Sequence, residues 1–120
     1  MNFKEIMEKV SLQQYEGFKN SLKNEMSRKE FLNLFFKTFL GEWFQMNSDD
    51  DCHKAIDQVS LCGPEIEFFH KIVDVKQENS ANLIKKYIEI YENTKNLEQC
   101  QLGANILKCL KVSYEKILLK

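Results

Sequence analysis

The chain has 120 residues, 43% hydrophobic and 29% charged, with a net charge of −1. That length fits one domain over residues 1–120, and the composition is that of a soluble, folded protein. One Pro and four Gly are too few for a turn-rich β sandwich. Lys/Arg and Asp/Glu are evenly mixed, so there is no basic stripe for nucleic acid, and no apolar run reaches the roughly eighteen residues of a membrane span.

Taken in order, residues 3–10 place Phe3, Ile6, Met7 and Val10 at helical spacing. This amphipathic start lacks the apolar run of a signal peptide. The expectation is a cytoplasmic protein, or a secreted one whose signal has been replaced by Met1. Ser11 with Gln14 reads as a capping box, followed by a helical stripe of Tyr15, Phe18, Leu22 and Met26. Ser27 with Glu30 is a second capping box. It opens the most apolar stretch of the chain, FLNLFFKTFLGEWFQM over residues 31–46, with five of the nine Phe and the only Trp. A helix apolar on most sides must be surrounded by other helices or partly by a ligand. Residues 31–46 are therefore expected to be the central helix. Asn47 to Asp51 ends it and, being acidic, suits the N-terminus of the next helix, which turns Cys52, Ile56, Val59 and Leu61 inward.

Gly63-Pro64 is the strongest break, with Pro suited to a helix's first turn. Ile66, Phe68, Phe69, Ile72 and Val73 form the apolar face of a helix from about Glu65 to Lys76. Asn79-Ser80 caps a helix from about Ala81 to Glu92, marked by Leu83, Ile84, Tyr87, Ile88 and Tyr91. Asn96 caps the last helix, about Leu97 to Leu118. A wheel centred on Cys100 groups Ala104, Leu107, Tyr114 and Leu118, with Ile106, Leu110 and Ile117 further round. It sends Gln101, Asn105, Lys108 and Lys116 to the opposite arc. No segment alternates with period two. The predicted fold is all-α, a single bundle of six to seven short helices around 31–46.

Four Cys are compatible with two disulfides in a secreted protein or with four reduced thiols. Cys100 and Cys109 would lie about 13.5 Å apart along one helix. A disulfide needs Cα atoms within about 7 Å, so these two cannot bond to each other. If both bridges form, Cys52 and Cys62 each reach the last helix. The Cys spacings match no zinc motif, and no nucleotide, hydrolase or calcium-loop motif occurs. Cys52-His53 after three Asp reads as an acidic helix start, and His70 as a core-edge or surface side chain. No catalytic residue, metal or cofactor is expected. The aromatic residues Phe31, Phe35, Phe39, Trp43, Phe68, Phe69, Tyr87 and Tyr91 either fill the core or line a cavity, with tyrosine hydroxyls as polar tips.

The stretch Cys100-Gln-Leu-Gly-Ala-Asn-Ile-Leu-Lys-Cys109-Leu resembles the C-terminal C-x8-C element of insect odorant- and pheromone-binding proteins. Residues 35–51 are similar to the segment where that family carries Cys-x3-Cys, and Phe35 and Phe39 stand at those positions here. The resemblance implies a secreted six-helix carrier with no cofactor, an apolar small molecule between its helices, and structural roles for Cys100 and Cys109. Two functions are thus expected. One is an apolar-ligand carrier stapled by Cys52, Cys62, Cys100 and Cys109. The other is a cytoplasmic helical protein-interaction module with reduced cysteines and an apolar groove for a partner helix.

Overall fold

A computed structural model describes residues 17–18, 20–23, 26–41, 44 and 47–118. The stripe from Phe3 to Val10, the Ser11–Gln14 box, Tyr15 and Trp43 lie outside the described residues. Among the described residues five α-helices are bounded, against the six to seven expected: α1 (Arg28–Leu40), α2 (Asp49–Gln58), α3 (Gly63–Val73), α4 (Ser80–Asn93) and α5 (Gln101–Leu118). A 3-10 turn, Leu97–Gln99, precedes α5. No strand occurs among the described residues, so the fold is all-α.

Local chemistry places most helix starts. The Ser27 hydroxyl accepts from the Glu30 amide and donates to the Glu30 carboxylate, a variant of the expected box. The Ser48 hydroxyl accepts from the Asp51 amide, and Asp49, Asp50 and Asp51 complement the helix dipole. At α3 the Glu65 carboxylate accepts from the Cys62 amide at 2.8 Å, with Pro64 in the first turn. The Asn79 side chain accepts from the Ala81 and Asn82 amides.

The central helix ends earlier than its apolar run. Gly41 has φ 113° and ψ 159°, and its amide bonds the Lys37 carbonyl. That backbone conformation suits glycine and stops the helix, so α1 occupies 28–40 rather than 31–46. Phe44 lies beyond the stop and is still buried against Phe36, edge to face at a centroid distance of 4.6 Å.

Phe31, Leu32, Phe35 and Phe36 of α1 are fully buried. Around them pack Phe18 and Leu22, Cys52 and Ile56 of α2, Phe68, Phe69 and Ile72 of α3, and Leu83, Ile84 and Tyr87 of α4. Ile106, Cys109 and Leu110 of α5 complete the core. α4 packs along α5 and on α3, α2 on α3, and α1 on α4.

Two polar links fasten α1. Ser80 Oγ accepts from the Met26 amide and donates to the Met26 carbonyl, joining the start of α4 to the residue before the α1 cap. The Arg28 guanidinium donates to the Val73 and Val75 carbonyls and to Asp49, tying α1 to the end of α3 and the start of α2.

The last helix departs from the expected wheel. Cys100 is extended (φ −81°, ψ 142°) and separates the 3-10 turn from α5. The buried face of α5 carries Gly103, Asn105, Ile106, Cys109, Leu110 and Ser113, while Leu107 and Tyr114 are half-exposed. Two small residues explain this rotation. Gly103 packs directly on the Leu97 backbone. Ser113 turns its hydroxyl into its own helix, donating to the Cys109 carbonyl at 2.9 Å, so it is buried with its polar group satisfied.

Candidate functional site

Between α4 and α5 runs an open groove in two connected parts. One, about 510 Å³, is lined by Gln77, Asn82, Lys85, Lys86, Ile88, Glu89 and Tyr114. The other, about 340 Å³, is lined by Ile88, Glu92, Leu107, Lys111, Tyr114 and Glu115. Ile88 and Tyr114 are common to both, so the parts are continuous across an apolar floor of Ile88, Leu107 and Tyr114. The rotation of α5 creates this floor, because it directs Leu107 and Tyr114 towards solvent. Charge differs modestly along the rim, with Lys85 and a Lys86–Glu89 ion pair at one end and Glu92 and Glu115, beside Lys111, at the other.

The described aromatic residues named from the sequence do come together; Trp43 lies outside the described residues. Phe35 is within 6.4 Å, centroid to centroid, of Phe18, Phe31, Phe36, Phe39, Phe69 and Tyr87. Phe68 meets Phe69 and Tyr91 edge to face. Phe39 alone of the described set is only partly buried. The rings fill the interior by direct contact, at distances usual for packed aromatic pairs. Inside this cluster the hydroxyls of Tyr87 and Tyr91 are buried without a hydrogen-bond partner. Burial pushes both phenols above their ordinary range, Tyr91 to about 12.

All four cysteines are unpaired. Cys52 and Cys109 are buried, and desolvation raises Cys52 to about 11 and Cys109 well above its usual value. Cys62 and Cys100 lie at the surface between α3 and α5, and their sulfurs and a Glu65 carboxylate oxygen are all within 4.8 Å of one another. Hydrogen bonding to Glu65, then to Cys100, pushes the Cys62 thiol up to about 12.

His53 and His70 are 17 residues apart in the chain, and the fold joins them. Their Nδ1 atoms are 2.7 Å apart, with rings stacked at 4.9 Å. His53 Nε2 lies 2.9 Å from Asp74 Oδ1, and His70 Nε2 lies 2.6 Å from Asp57 Oδ1. Carboxylates accept, so both Nε2 atoms donate, and one proton fits between the facing Nδ1 atoms. The result is a four-residue polar clasp between α2 and α3. A signal was present in the sequence: HKAID (53–57) and HKIVD (70–74) share His-Lys-x-x-Asp. Each places His and Asp on one helix face, and the crossing of the helices exchanges the partners.

No family model matches the chain, and no solved structure matches it. Among curated proteins it is similar to the uncharacterized protein R828 of Acanthamoeba polyphaga mimivirus. The two are 43% identical over a match that covers 94% of this chain and 95% of the relative. The chain belongs to the R828 family. The match covers nearly the whole length of both chains.

Proposed function

We propose that this R828-family chain is a helical protein-interaction module that takes an amphipathic helix of a partner protein into the groove between α4 and α5. The observation that carries the reading is the continuous apolar floor of Ile88, Leu107 and Tyr114, open to solvent and edged by charge. Amphipathic helices bind such grooves through anchors at i, i+3, i+4 and i+7. The rim favours a polarity: an acidic end of the partner helix lies over Lys85, beside the Lys86–Glu89 pair, and a basic end over Glu92 and Glu115. The unpaired cysteines agree with a reducing compartment. A synthetic helix with leucine anchors, an acidic first turn and a basic last turn tests this by fluorescence anisotropy. Binding to the native chain, lost in Leu107→Glu and weakened when the peptide's charges are exchanged end for end, is the expected result. No binding, or equal binding to Leu107→Glu, refutes it.

One observation favours a second reading, a carrier of an apolar small molecule. Tyr87 and Tyr91 hold hydroxyls without partners inside an aromatic cluster, and a buried unpaired hydroxyl is costly unless something satisfies it. A ligand bearing a carbonyl or hydroxyl would do so. Organic extraction of the purified protein, with displacement of an apolar fluorescent probe, tests it. An empty extract and no probe uptake refute it.

A further inference from the structure

We infer that Cys62, Glu65 and Cys100 form a binding site for a thiophilic divalent cation of the zinc class, which fastens the start of α3 to the start of α5. The three donor atoms lie within 4.8 Å of one another. Zinc–sulfur bonds of about 2.3 Å at tetrahedral angles put two thiolates on one ion about 3.8 Å apart, so small side-chain rotations bring the set into register. Two sulfurs and one oxygen are a borderline-soft set that suits zinc or cadmium over magnesium or calcium.

A second observation points the same way. Glu65 is 4% exposed. Its carboxylate accepts from the Cys62 amide and thiol, and among the described residues no Lys or Arg forms an ion pair with it. A buried carboxylate with a thiol on either side and no cation beside it is a donor set that a metal ion would complete, since buried charge is normally paired or coordinated. Space is available as well. A cleft of about 350 Å³ opens on two of the three ligand residues, Cys62 and Glu65, and runs beside Gln101, with room for water or a further ligand at a fourth position.

The two cysteines sit where helices begin. Cys62 is the N-cap of α3, and the Cys100 carbonyl accepts from the Ala104 amide in the first turn of α5. Binding converts both thiols to thiolates, so two protons go to solvent for each ion bound. The ligands come from positions 38 residues apart in the chain, which is why no zinc spacing is visible in the sequence.

Cadmium is the probe, added to the reduced full-length protein without oxygen. A thiolate-to-cadmium charge-transfer absorption saturating at one ion per chain is expected. Alkylation followed by peptide mass spectrometry should show Cys62 and Cys100 protected. Cys100→Ser and Glu65→Ala should each weaken binding at least about a hundredfold, beyond the ~10–100-fold that losing an outer partner costs. Cys52→Ala should change neither signal. The protection pattern on the native chain keeps the test decisive should a variant fail to fold. Absence of the absorption, protection of other cysteines, or a Cys62–Cys100 disulfide in a protein that takes up no cadmium when reduced overturns the inference.

Discussion

Replacing Gly103 by Ala sets two effects of opposite sign against each other. In a helix interior Ala is favoured over Gly by about 1 kcal/mol. At this site, however, an added Cβ would fall 1.8 Å from the Leu97 carbonyl oxygen and 2.7 Å from its carbon. Ordinary contact begins near 3.4 Å, so the two backbones must separate by about 1.6 Å. Leu97 resists that movement. Its side chain is fully buried, its amide bonds Thr94 and its carbonyl bonds the Cys100 amide. Overpacking costs about 1–3 kcal/mol, and a backbone neighbour puts this case at the upper end. The net loss is about 2 kcal/mol after the propensity gain. At roughly 4 °C per kcal/mol for a domain of this size, Tm falls by about 8 °C. Thermal denaturation followed by circular dichroism measures it, with urea titration to confirm an unchanged m value. A variant as stable as the native chain, or more stable, refutes the close approach of α5 to the 97–100 turn.

Four further outcomes follow from the same packing. Phe35→Ala removes a fully buried ring that touches six other rings and should cost about 3–5 kcal/mol in urea unfolding. A loss under about 1 kcal/mol would mean the interior is not packed as described. Tyr87→Phe deletes a hydroxyl without a partner and should stabilise the ligand-free protein by about 1 kcal/mol; a lower Tm would contradict the orphaned hydroxyl. Arg28→Met leaves the Val73 and Val75 carbonyls without their guanidinium donor and Asp49 with Lys76 alone and should cost about 2–4 kcal/mol, read by the same titration. Alkali should destabilise the fold. Cys52 holds its proton to about pH 11 in the native state against 9.0 ordinarily, and Tyr91 to about 12 against 10.0. The native state therefore binds more protons than the unfolded chain above pH 9, and stability, complete below that pH, declines as pH rises through the native values. A Tm unchanged between pH 8 and pH 11 would contradict this.

Residues and their near neighbours determined the all-helical class and most helix starts. Ser27 with Glu30, Ser48 before three aspartates, Gly63-Pro64 and Asn79 act through hydrogen bonds that close within about one turn, so the sequence carries them directly. Apolar stripes at helical spacing likewise identified Phe31, Phe35, Phe68, Phe69 and Tyr87 as side chains that meet inside. The end of α1 was less legible, because the apolar run continues to Met46 while the backbone of Gly41 turns away. Tertiary structure decided what lies between helices. The wheel counted apolar residues and so centred α5 on Cys100. Packing instead chose the face where Gly103 and Ser113 allow close approach, burying Asn105 and turning Leu107 and Tyr114 into the groove. His53 meets His70, and Cys62 meets Cys100, only because α2 crosses α3 and α5 starts beside α3. A helix's own hydrogen bonds reach four residues along the chain, whereas each of these sites joins residues 17 or more apart, and only the packing of one helix on another brings them together.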